Sequence, residues 1–428
     1  MAGPYYCDLS RSDFVDQVGT GTGPTQVYTG PGGFLQALHG FGSGSVIGVG
    51  ETLYLSGTGL HGRLVKIVTG STHAGWVPGD VVHDTPATPD WQGTIIWQAT
   101  TTTFWVWLDV AYLFTNIDDA DGITNDSGGA DATMTSTCNG VEFPSLSGTV
   151  AGGYIKFIGV EGSGWTNDET YAVLDGEDDA DRGITISGAI AANYLWFENI
   201  RITRCEDRGW WVDPANGANF WVMYHNMADL CNYGTYFYRT ISNTCIRFRA
   251  EENDLDGMRE GQFGYDAVYI MCTAFGNGGL GLGGQSSRLA FYGCLSYENA
   301  DNFQCDEASF FNCVVDGATS DGIDQLGATI IRVIGCRITN NGNTDLEYGI
   351  ELSSANNIVQ AAWTYFGGNK GAGASTVNDV EGQQYNSIVG NTFDGSETDH
   401  GYVNPAADDY NLDSDKAAGY SVEIDLDS

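Results

Sequence analysis

The sequence predicts an all-β protein: a right-handed parallel β-helix, with an N-terminal cap and a small inserted β-module. Three observations carry this. Cys272, Cys294, Cys313 and Cys336 recur at intervals of 22, 19 and 23 residues, each closing a short apolar run (AVYIMC, RLAFYGC, ASFFNC, IIRVIGC). Three of the four are followed five residues later by asparagine: Asn277, Asn299 and Asn341. The second half of most coils carries a glycine before an apolar residue, as in Asp256-Gly257-Met258 and Asp321-Gly322-Ile323. A unit this short cannot bury its apolar face alone and must stack on neighbours.

The spacing excludes the main rivals. Leucine-rich repeats need regularly placed leucines, and a propeller blade needs about twice this period. Helical repeats need a 3.6-residue periodicity, but the runs here are short and rich in β-branched and aromatic residues. About eight to ten coils of roughly 20–25 residues are expected. The cysteines then form a buried structural ladder of small apolar side chains. The asparagines form a hydrogen-bonded ladder at a turn. In the coil 288–308, Asn302 replaces the glycine, as the other residue that tolerates a left-handed backbone.

The elements follow in order. Residues 1–60 read as an N-terminal cap and first coil. Phe34, Leu35 and Leu38 lie at helical spacing with Gly40 as a stop, and Leu53 and Leu55 mark a strand. A cap is needed because an open solenoid end exposes its core and strand edges. Residues 61–150 break the coil period. RLVKIV, GTIIWQ and TFWVWLDV are strands of a small antiparallel module, and the acidic stretch 116–131 reads as a solvated loop, because it lacks the glycine and glutamate placement of a Ca²⁺ loop. Residues 151–370 hold the coils, beginning at YIKFIGV and YLWFENIRI. Residues 371–428 read as a terminal coil, with a weak echo at NSIVGNTF, and an acidic C-terminal segment.

The 428 residues include 17 basic and 55 acidic ones, a net charge of −38. Such a surface repels phosphate backbones and anionic membranes, so nucleic-acid binding and membrane insertion are not expected. The acidity is spread along the chain, which suits a marine or saline habitat. No run reaches transmembrane length, and the start, MAGPYYCDLSRSDF, carries no secretory signal pattern.

Candidate chemistry is scattered. Carboxylates fall in pairs at Asp254 and Asp256, Asp321 and Asp324, and Glu347 and Glu351. However, Asp256, Asp301 and Asp321 share one turn position, where aspartate bonds backbone amides. Asp178, Asp179 and Asp181 beside Arg182 read as loop acids. The six histidines do not cluster, and no nucleophile, zinc or phosphate-loop motif is present. No catalytic or metal residue is therefore assigned, although Ca²⁺ stays open as a ligand. Aromatic residues are denser at 208–239. Trp210, Trp211, Trp221, Tyr233, Tyr236 and Tyr238 are the candidate contacts to a carbohydrate or a neighbouring subunit. Neighbours in WW and YFY point to opposite strand faces, so part of each must face outward.

The GPGGFLQALHG segment, the strand ETLYLSG, the inserted module and the YIKFIGV and YLWFENIRIT coils resemble right-handed β-helix proteins of the pectate-lyase-like superfamily. These are common in bacteriophage virions and environmental bacteria. The resemblance covers about residues 28–60 and 150–415. For the superfamily's enzymes it implies an arginine base with Ca²⁺-binding aspartates, or two or three carboxylates in a groove. The superfamily also includes tailspikes and inert structural proteins, so fold does not fix activity. The expectation is a non-enzymatic virion structural or adhesion protein of a bacteriophage: a tail fibre, spike or capsid-surface decoration. Its partners would be other virion proteins and a host-surface glycan, in a homo-oligomer with a trimer favoured. The alternative is a polysaccharide lyase or glycoside hydrolase.

Overall fold

In the computed structural model the chain is a right-handed parallel β-helix carrying one closed β-barrel. The structure describes residues 5–10, 26–40 and 47–369, with short breaks inside the last range, and the strands at 385–389, 402–404 and 409–412. Glu347, His400 and most of the acidic C-terminal segment lie outside the described residues.

Each coil contributes one strand to each of three faces. In one coil, Val268–Ile270 lies on the first face, Thr273–Phe275 on the second and Leu280–Gly284 on the third. The first face is a sheet of 13 strands, and the other two faces join in a sheet of 17. The stack is therefore longer than the eight to ten coils expected. The excess lies partly at the N-terminus, where Tyr5–Asp8 and Gln26–Thr29 pair in parallel beyond Thr52–Ser56. The helix Gly30–His39 ends at Gly40 in the left-handed region (φ 60°), buries Phe34, Leu35 and Leu38, and packs Phe34 against Phe143 and Phe157.

Two inward columns line the corners of the second face. One holds Cys272, Cys294, Cys313 and Cys336, all buried free thiols. Each of the first three lies 3.3–3.5 Å from a carbonyl oxygen of the preceding coil. Burial raises the Cys294 and Cys336 thiols well above their ordinary range, so they behave as small apolar groups. The other column is the asparagine ladder. Asn253 Nδ2 donates to Asn277 Oδ1 at 2.8 Å, and Asn277 Nδ2 to Asn299 Oδ1 at 2.7 Å. Where the Cys313 coil has Ala318 in place of asparagine, Asn302 enters from the third face. It accepts from Asn299 at 2.9 Å and donates to Asn341 at 3.0 Å, and Asn341 continues the ladder to Asn369.

Asn302 thus serves the ladder, and it is not among the residues with positive φ. Nor are the coil glycines at its position. A Cβ on Gly257 would stand 2.7 Å from the Gly281 carbonyl oxygen, and one on Gly322 2.5 Å from that of Gly349. These glycines permit close stacking of coils. The left-handed positions come instead one residue before each inward corner residue. They include His225, Arg247, Met271, Gly293, Asn312, Gly335 and Trp363, with φ of 49–66°.

The inserted module is a closed six-stranded antiparallel barrel spanning Leu64–Thr69 to Ala132–Asn139. Trp76, Trp91, Phe104 and Val106 fill it. Its fifth strand, Gly122–Asn125, comes from the acidic stretch expected as a loop; Ile123 is fully buried, and this supplies the apolar contact that keeps the strand in place. Lys66 Nζ, 2.6 Å from Glu142, ties the barrel to the solenoid.

Candidate functional site

The third face carries one outward column that crosses seven coils in strict register. Its members are Trp211, Tyr236, Arg259, Gly283, Gln304, Asp324 and Glu351. Each stands two residues after the close-packed position held by Gly209, Gly234, Gly257, Gly281, Asn302, Gly322 and Gly349. The glycine fixes coil-to-coil contact, and strand alternation then aims the second residue outward. At about 4.8 Å per strand the column runs roughly 29 Å.

One end is aromatic. The Arg208 guanidinium lies 3.7 Å from the Trp211 ring centroid and that of Arg182 4.1 Å. Tyr236 stacks 6.0 Å from Trp211 and 6.1 Å from Tyr238, and Tyr233 meets Tyr236 edge-on. Arg259 closes this end, 5.6 Å from the Tyr236 ring, with Nη1 2.8 Å from Asp256 Oδ2. Arginine–aromatic stacking holds these half-buried rings in fixed planes.

Trp210 and Trp221 do not belong to this surface. Both are core residues, 0% and 1% exposed, and Trp221 Nε1 donates to the Ala192 carbonyl at 2.6 Å. Trp210 points inward because it precedes the outward Trp211 on the same strand, and it meets Phe197 edge-on. Of the six aromatic candidates, Trp211, Tyr233, Tyr236 and Tyr238 come together on the surface.

The other end is acidic. Asp324 Oδ2 accepts from Gln304 Nε2 at 2.8 Å, and Glu351 is its register partner on the next coil. Asp321 lies three residues before Asp324 and is buried. Its Oδ1 accepts from the Tyr348 amide at 2.6 Å, while the amide of Asp321 donates to Asp301 Oδ1 at 3.1 Å. The aspartates at the shared turn position do bond backbone amides, as Asp256 does to Leu280 at 2.8 Å, but each reaches the following coil. Burial pushes the Asp321 carboxyl up to about 8, with Glu351 and Asp301 adding to the rise. Asp324 is pushed up to about 6, again by burial first, against the Gln304 hydrogen bond. Two carboxyls with different proton affinities and a third beside them are thus held at one end of an aromatic strip.

The remaining candidates are elsewhere. Asp254 is exposed on a corner. Asp178 and Asp179 sit at a bend within the continuous extended run Ala172–Gly188, not in a loop before a strand; Glu177 and Asp178 turn it, with φ of 59° and 60°. Arg182 is turned towards Trp211. His225 stacks on Tyr171 at 5.1 Å and lies 2.7 Å from Asn199. Among the described residues, no three His, Cys, Asp or Glu side chains converge as a metal-binding group.

No family model matches the sequence, and no curated protein matches it. Solved structures do. Pectate lyase Pel9A superposes with a TM-score of 0.53 over 98% of this chain and 87% of its own, at 13% identity. The A-module of the mannuronan C-5 epimerase AlgE6 of Azotobacter vinelandii covers 60% of this chain and 85% of its own, at 15% identity and a TM-score of 0.30. ORF18 of Geobacillus virus E2 covers 59% and 53%, at 14% identity and a TM-score of 0.34. The chain shares the parallel β-helix fold of pectate lyase Pel9A, and the likeness extends to the fold alone.

Proposed function

We propose that the third face is a glycan-contact surface, and that the chain is a spike, fibre or decoration protein of a bacteriophage virion that uses it to engage a host-surface polysaccharide. The observation that carries the glycan reading is the registered column from Trp211 to Glu351. Aromatic faces stack on the apolar faces of sugar rings, and side chains fixed by neighbouring arginines lose little freedom on binding. Beyond Arg259 the column offers Gln304, Asp324 and Glu351 as hydroxyl partners at one-coil spacing. A glycan panel probed with the purified protein tests this. Retention of at least one polysaccharide is expected, weakened at least tenfold by Trp211→Ala with Tyr236→Ala; equal retention by the double variant refutes it. The virion assignment is tested separately by mass spectrometry of purified particles, from which the chain must not be absent.

A second reading, glycoside hydrolysis, is favoured by the acidic end. Near neutral pH, Asp321 holds a proton and Asp324 has lost most of its own. A protonated carboxyl beside an ionised one is the pair that acid–base cleavage of a glycosidic bond needs. Shortening of the retained glycan, abolished by Asp321→Asn or Asp324→Asn, would establish it; an uncleaved glycan leaves binding alone.

A further inference from the structure

Register extends the third-face column past Trp211, to Thr185 one coil back and to Glu142 two coils back. Both stand outward by strand alternation, since Val141, Ile184 and Ile186 beside them are fully buried. Thr185 is nonetheless only 7% exposed, so the outward side is already covered one coil beyond Trp211. At Glu142 the inserted barrel reaches the column itself. Lys66, on the barrel strand Leu64–Thr69, holds the Glu142 carboxylate at 2.6 Å.

The barrel is firmly seated there. The chain leaves the second face after Thr58–Leu60, builds the barrel, and returns on the third face at Val141–Glu142. Asn139, from the last barrel strand, donates to the Asp179 carbonyl at 3.0 Å and accepts from the Asp181 amide. Trp97 meets His39, whose Nε2 lies 2.8 Å from the Glu142 carbonyl oxygen. Ile96, Trp97 and Trp105 of the barrel belong to the same apolar core as the solenoid. Facing sheets stand about 10 Å apart, so the far wall of the barrel rises about 10 Å above the strand that carries Lys66. Trp211 is two strand intervals from Glu142, also about 10 Å.

We infer that the barrel is an end-wall to the column, and that the third face receives the end of a glycan chain, not an internal stretch. This rests on the glycan reading of that face. A sugar stacked on Trp211 has the barrel on one side, so a chain lying along the column continues only towards Glu351. The wall also offers a group that reads the end. A terminal sugar carries a hydroxyl where an internal one carries a glycosidic linkage. Lys66 Nζ has three N–H donors, and the Glu142 carboxylate takes one of them. The two side chains are 26% and 27% exposed, so the terminal hydroxyl can accept another.

Competition at constant sugar mass tests this on the full chain. A polysaccharide retained in the glycan panel is immobilised, and bound protein is displaced by the same polysaccharide in solution. The competitor is used whole and after partial acid hydrolysis to graded lengths, all longer than the column's roughly 29 Å. Displacing power per gram is expected to rise in proportion to the number of chain ends, about tenfold for chains cut to a tenth of their length. Power that stays constant per gram overturns the end-wall and leaves the glycan surface standing. Retention of no polysaccharide removes the glycan reading and the inference with it. Lys66→Ala should weaken binding of the shortened chains at least fivefold. It should melt within about 1 °C of wild type, because a partly exposed ion pair contributes little to stability. A folded Lys66→Ala variant that binds those chains as the wild type does overturns the role given to Lys66.

Discussion

Replacing Glu260 by glutamine should stabilise the protein at alkaline pH and remove the part of its pH dependence that this carboxyl contributes. Glu260 is 1% exposed and lies inside the coil stack. Its oxygens accept from Tyr269 Oη at 2.7 Å and Thr240 Oγ1 at 3.1 Å. Burial raises its carboxyl from 4.5 to about 7, against the lowering effect of those two hydrogen bonds. The sign follows from linkage. Between pH 4.5 and 7 the folded chain holds a proton that the unfolded chain has released, so stability is fully present below 4.5 and falls as pH rises through 7. A rise of about 2.5 units at 1.36 kcal/mol each is about 3 kcal/mol. Unfolding entropy of about 2.1 cal/mol/K per residue turns this into about 3–4 °C for 428 residues. Melting followed by circular dichroism at pH 5 and pH 8.5 is the assay. Glu260→Gln should match the wild type within about 1 °C at pH 5 and exceed it by about 3 °C at pH 8.5. A variant less stable than the wild type at pH 8.5 would refute the reasoning, because it would mean the ionised carboxylate is favoured where it sits.

Asn302→Ala should cost about 2–3 kcal/mol, since it removes the bonds to Asn299, Asn341 and the Asp316 carbonyl; a melting point lowered by 2–3 °C checks it. Gly257→Ala should destabilise by about 1–3 kcal/mol through its clash with the Gly281 carbonyl, whereas Gly293→Asn, at φ 60° with only the Met271 side chain near, should melt within about 1 °C of wild type. If the acidic end cleaves glycan, the rate should peak between about pH 6 and 8, since Asp324 must be ionised and Asp321 protonated; a rate still rising at pH 9 would exclude that pairing.

Much of the fold is written in local spacing. The cysteine interval gives the coil length, and the asparagine five residues on gives the ladder, because both sit at corners where one backbone conformation repeats. The glycines were harder to read. Their identity suggested a left-handed turn, but the reason for Gly257 and Gly322 is the carbonyl of the next coil, a contact made about 25 residues away. Asn302 misled for the same reason, since its partner Asn341 stands 39 residues further on. The column on the third face was legible in principle: counting two residues beyond each glycine position finds Trp211, Tyr236, Arg259, Gly283, Gln304, Asp324 and Glu351. Strand alternation required one outward residue in each aromatic pair, but the choice of Trp211 over Trp210 depends on which side of the strand meets Phe197. The barrel strand Gly122–Asn125 was hidden by acidic neighbours that outweigh its single buried isoleucine.

Hydroxyl-radical footprinting with and without a retained polysaccharide tests the central claim most directly, because it reports each aromatic side chain separately. Protection is expected at Trp211, Tyr236 and Tyr238, with Tyr292 and Trp363 on the first-face side unchanged by the glycan. Protection confined to the first-face residues, or an unaltered Trp211 in the saturated complex, would contradict the assignment of the third face.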